Sequence, residues 1–219
     1  TGKIFKVGAL VVLVGMLVSV FKDGMEAVSG AEGIGKASAG LCALILIYAA
    51  FPIAQVVRSA GDSLAESKSS MVNFVFKDLV VASIKVVGHI AALTALFGAI
   101  CSTVAWILNG SGMTIGVEMI GVFDYLYALP VEAMSAFLGM LGLGFVDVII
   151  GNFMTWDVTG SEASGYTVDG ALAVGWEFVQ VVIILAKLYV VLAFYHFFWG
   201  VLNTFFNWIK SPYLPFKSS

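Results

Sequence analysis

From Val86 to Ala186 the chain has no lysine or arginine, yet it carries eight acids: Glu118, Asp124, Glu132, Asp147, Asp157, Glu162, Asp169 and Glu177. In membrane proteins basic residues are retained on the cytoplasmic side, while acids have little influence on orientation. This stretch therefore reads as the half of the chain that reaches or crosses to the far side. Composition identifies the solvent. Hydrophobic residues make up 60% of the chain and charged residues 11%, with a mean hydropathy of +1.01. Ordinary soluble domains carry about 25% charged residues, so apolar surface on this scale belongs in lipid.

The pattern predicts an all-α polytopic membrane protein with four transmembrane helices plus a helical hairpin over 114–154. The spans fall at about 4–21, 40–57, 79–108 and 175–205, each long enough to cross a bilayer. Lys3 and Lys6 before an apolar run resemble the start of a signal peptide, but the segment is read as an uncleaved first span. A small-residue linker is expected over Lys22–Ala39. Its Gly33–Ser38 stretch lacks the spacing of a phosphate-binding glycine loop. Pro52 should kink the second span or break its last turn. A polar loop is expected over Arg58–Met71, then a short interfacial turn over Val72–Phe76. Asn109-Gly110-Ser111-Gly112 is a strong turn signal after the third span. The hairpin divides at Pro130 into 114–129 and 131–154, and is either re-entrant or two further spans. Residues 155–170 form a polar, acidic loop on the far side, in which Trp156–Thr159 and Tyr166–Asp169 could pair as strands.

Basic residues at the N-terminus, around the second loop and in the C-terminal tail place both termini on the cytosol-like side. Which membrane this is the sequence does not say.

Two histidines, His89 and His196, lie inside predicted spans at similar depth. That is the minimum for bis-histidine ligation of a b-type haem or another tetrapyrrole, with Gly88 giving a flat ring room to approach. The simpler reading is an imidazole bonded to a neighbouring helix. Lys187 lies near the centre of the last span, where an unpaired lysine costs about 3 kcal/mol. Asp147 is its first expected partner and Asp124 its second. Ser135, Gly139, Gly142 and Gly144 make a small-residue packing face. Cys42 and Cys101 lie in apolar runs, without disulfide or metal spacing.

No catalytic constellation or nucleotide loop is visible, and no basic patch with interleaved aromatics suggests nucleic acid. The leading expectation is a non-catalytic integral subunit of a larger membrane assembly. Its partners would be other membrane subunits, copies of itself, and lipid. A pore or transporter subunit using Lys187 and the hairpin acids is the second reading. A haem- or pigment-binding subunit using His89 and His196 is the third.

Overall fold

Lipid offers a backbone no hydrogen-bond partner, so a chain this apolar must close its hydrogen bonds within helices or a barrel. The computed structural model, which describes residues 2–110, 120–154 and 166–210, is helical, with no strand among the described residues. Helix α1 covers Gly2–Gly30, α2 Ile34–Glu66 and α3 Met71–Asn73. A π-helical segment, Phe74–Leu79, joins α3 to α4, Val80–Leu108. Then follow α5, Ile120–Met140, α6, Phe145–Met154, and α7, Val168–Lys210. Four helical stretches are long and apolar enough to cross a membrane: α1, α2, Met71–Leu108 and α7.

Several boundaries differ from the sequence expectation. The linker expected over Lys22–Ala39 shrinks to the residues between α1 and α2, where Gly33 takes a φ of 55°. The polar loop expected over Arg58–Met71 is helix as far as Glu66. Polar residues read as loop because apolar runs stop, but a helix can continue through them into water or headgroups. Pro52 lies inside an unbroken α2. The interfacial turn expected over Val72–Phe76 is instead part of the continuous helix Met71–Leu108. Val168 and Asp169 begin α7, so they form no strand; Trp156–Thr159 lie outside the described residues. Thr167 caps α7, its Oγ1 accepting the Gly170 amide at 3.0 Å.

The hairpin also divides elsewhere. Helix α5 runs through Pro130 and stops at Met140. Gly142 adopts a φ of 80°. The Leu143 amide donates to the Leu138 carbonyl at 2.9 Å and the Gly142 amide to the Gly139 carbonyl at 3.0 Å. These two bonds satisfy carbonyls that a helix end would strand. Leu143 packs against the cluster that holds Leu138, completing the cap. Asn109, with φ 52°, ends α4 similarly, and the Gly110 amide reaches the Ala105 carbonyl at 2.9 Å.

Helices pack in three apolar clusters. Phe5, Val12, Ile53, Val57 and Ile90 join α1, α2 and α4. Toward the other end of these helices, Val20, Leu46, Phe97 and Cys101 continue the seam. Ile84, Met134, Leu138, Leu188 and Val191 join α4, the hairpin and α7. In lipid such packing rests on close van der Waals approach rather than on removal from water. A Cβ on Gly61 would stand 2.7 Å from Phe5 Cβ and 3.1 Å from the Gly2 carbonyl, so α1 and α2 nearly touch there. Cys42 and Cys101 are free and buried. Each thiol points at the other's carbonyl, at 3.6 and 3.8 Å.

Three glycines separate three effects. Gly61→Ala forces backbone apart and should destabilise by about 1–3 kcal/mol. Gly142→Ala meets no atom but must adopt the left-handed conformation, costing about 1–2 kcal/mol. Gly139→Ala meets open space in a helix and should be neutral or mildly stabilising. Denaturant titration in mild detergent, followed by circular dichroism, checks the order; a Gly61→Ala protein as stable as Gly139→Ala would contradict the packing described.

Candidate functional site

One end of the bundle is tied together by polar side chains. The Lys6 ammonium lies 2.7 Å from Asp62 Oδ1, tying the start of α1 to the end of α2. Ser67 Oγ donates to Asp78 Oδ2 at 2.5 Å, tying the following loop to the π-helical segment. Tyr195 Oη donates to the Phe76 carbonyl at 2.5 Å. Trp199 stacks on Phe76 at 5.9 Å.

Beside these contacts, between α2 and α4, lies a cavity of about 760 Å³. Its α2 wall carries Gln55, Ser59 and Ser63, continued by Ser67 in the loop. Its opposite wall carries Lys77, Val81, Lys85 and His89. Both series step by four residues, the spacing that puts side chains on one helix face. Lys68 enters from the loop and His196 from α7. The apolar lining includes Val56, Ala60, Leu64 and Val86. Three lysines thus face one carboxylate, Asp78, so the cavity is net cationic.

The structure brings His89 and His196 to the same cavity, as the haem reading requires. His89 Nδ1 lies 2.7 Å from the Lys85 carbonyl oxygen. A carbonyl only accepts, so Nδ1 carries a proton and the bond orients the ring. Gly88 does not serve a flat ring, however. A Cβ there would stand 2.5 Å from Leu188 Cδ1, so the space belongs to the α4–α7 contact.

The other predicted site residues separate. Lys187 is half-buried, and among the described residues the only ion pair is Lys6–Asp62. Asp147 instead accepts a hydrogen bond from Ser135 at 2.5 Å. The side chain of Asp124 lies outside the described residues. Ser135, Gly139, Gly144, Asp147 and Glu132 line a second, open cleft of about 450 Å³. An added Cβ on Gly139, Gly142 or Gly144 meets nothing within 4 Å among the described residues. The three cavity lysines are among the basic residues around the second loop that set the orientation, and the Lys77–Val81–Lys85–His89 step places two of them on one helix face.

The Lys6 hydrogen bond to Asp62 holds that carboxyl below its ordinary value of 3.8, against partial desolvation, and the charges of Lys6 and Arg58 act in the same direction. A lowered folded pKa gives stability that is complete above the ordinary value and fades as pH falls through the folded one. Both side chains are about half exposed, so the contribution is small. Wild-type protein should melt slightly above Asp62→Asn at neutral pH, and the difference should vanish well below pH 3.8; a gap that persists in acid would contradict this account.

No protein-family model, curated protein or solved structure matches this chain.

Proposed function

We propose that this protein is a non-catalytic integral subunit of a larger membrane assembly, with both termini on the cytosol-like side and other membrane subunits or further copies as partners. The observation that supports this most is the reach of α7. Trp106 Nε1 donates to the Thr167 carbonyl at 2.9 Å and Trp106 stacks on Tyr166 at 4.8 Å. The start of α7 therefore lies level with the end of α4. Tyr195 and Trp199 lie level with Phe76, little more than one turn inside the neighbouring helix Met71–Leu108. Beyond Trp199, α7 runs on to Lys210, roughly 16 Å, against roughly 8 Å from Phe76 back to Met71, at 1.5 Å per residue. Phe205, Phe206, Trp208 and Ile209 in that overhang are 47–55% exposed.

Exposed apolar residues run along α7 from Val168 to Ile209, roughly 60 Å. A hydrocarbon core is about 30 Å thick. A 40° tilt lengthens the covered path only to about 39 Å. Lipid tails cannot cover the whole helix, and an all-round apolar helix needs a neighbour. Only 22% of its most apolar stretch is buried, against 56% for Met71–Leu108.

The pore reading keeps Lys187 and the hairpin acids, but among the described residues Lys187 has no ion pair with Asp147. The haem reading keeps the shared cavity as its support. A photo-crosslinking residue at position 206, activated in native membranes, tests the subunit reading. Cross-linked species heavier than this 23.2 kDa chain by the mass of a protein are expected. Lipid adducts of the monomer alone would defeat it.

A further inference from the structure

The geometry points to the cavity between α2 and α4 as a binding site for the phosphate-bearing headgroup of an anionic lipid. Lys68, Lys77 and Lys85 converge there from three separate pieces of chain. None of them is in an ion pair among the described residues. The one acid in the lining, Asp78, already accepts the Ser67 hydroxyl. Like charges brought together without a counter-charge repel, and an anion placed among them relieves the repulsion. Ammonium groups and hydroxyls are also the donors that phosphate oxygens take.

Shape selects lipid over free phosphate. From Ser67 back to Gln55 along α2, and from Lys77 to His89 along the opposite wall, the lining extends roughly 18 Å. Phosphate alone would occupy one end of so long a space. Lys68, Ser69 and Lys77 stand at one end, and Ser63, Ser59 and Lys85 continue the polar stripe inward. Val56, Val81, Ala82 and Val86 provide apolar wall beside that stripe. A phosphate, a glycerol backbone and the first methylenes of an acyl chain match a polar stripe set against an apolar wall. Basic pockets between membrane helices on the cytoplasmic side hold anionic headgroups for the same reason. The polar stripe also gains a purpose. Ser59, Ser63 and Lys85 are exposed side chains on helices that otherwise face lipid, where bare polar groups are costly.

The test uses the full chain in mild detergent with three additions: dioctanoyl phosphatidylglycerol, dioctanoyl phosphatidylcholine and inorganic phosphate. Binding is read by native mass spectrometry and by the rise in melting temperature. Phosphatidylglycerol should bind and stabilise, while phosphatidylcholine and phosphate at matched ionic strength should do neither. The variant Lys68→Gln/Lys77→Gln/Lys85→Gln should lose affinity roughly a hundredfold, about fivefold for each lysine. The Lys→Arg triple variant keeps the charge and should bind, which guards against a folding artefact. Lys3→Gln, outside the cavity, should change nothing. Equal binding of both lipids would overturn the proposal, as would binding unaffected by the glutamine variant. Protection by phosphate without phosphatidylglycerol would give the cavity to a free anion. A Soret band in the purified protein, lost on His89→Ala and His196→Ala, would give it to a tetrapyrrole. Either result sinks the lipid assignment and leaves the subunit reading standing, because that reading rests on α7.

Discussion

The register between α4 and α7 fixes the position of everything else on the last helix. It is pinned at both ends by a side-chain donor on one helix and a carbonyl on or beside the other. Trp106 donates to Thr167 at one end, and Tyr195 donates to Phe76 at the other. Residues 76–106 and 167–195 cover nearly equal lengths, roughly 42–45 Å at 1.5 Å per residue. A slip of one turn would break both bonds and unstack Phe76 from Trp199 and Trp106 from Tyr166. The same register seats Leu188 against Gly88 and brings His196 to the cavity. It also sets Phe194 and Phe198 against Phe145 and Phe137 of the hairpin.

Packing between helices here obeys the rule of a lipid solvent. Apolar side chains gain little by leaving lipid for protein, so contact distance carries the association. At Gly2 and Gly61 the absence of a Cβ brings α1 and α2 together, and the Lys6–Asp62 pair sits beside that approach. At Gly24 an added Cβ would stand 2.8 Å from Ala43 Cβ, so the approach recurs near the other end of α1. The reciprocal thiol–carbonyl contacts of Cys42 and Cys101 do similar work between α2 and α4.

Much of the architecture was legible in the sequence because hydropathy reports length and solvent directly. Four long apolar helices stand where four apolar runs were read. Helix ends were harder, since hydropathy marks where lipid stops rather than where a helix stops. Ser67–Ser70 is all that remains of the loop expected over Arg58–Met71. Pro130 misled for a related reason: neighbouring groups can satisfy the backbone that a proline disrupts in a membrane helix. The real break used Gly142, whose left-handed φ permits a cap that Pro130 cannot make. At the site, His89 and His196, paired in the sequence by depth, both line one cavity. Depth alone could not reveal the lysines around them, because those come from a loop, a π-helical turn and the start of α4.

The expected Lys187–Asp147 pair shows what sequence spacing leaves out. Hydrocarbon around both charges would make each need the other. Asp147 instead lines a cleft of about 450 Å³ with Glu132 and Ser135. Liquid water occupies about 30 Å³ per molecule, and an open cleft of that size has room for several beside its carboxylates. Its room comes from Gly139 and Gly144, which carry no side chain into it. The glycines therefore act by leaving space rather than by bringing helices together. A carboxylate that accepts the Ser135 hydroxyl and borders an open cleft has partners other than an ammonium group. Lys187, half-buried beside the fully buried Leu188, has a long stem that can rest on apolar surface while the head seeks a polar boundary.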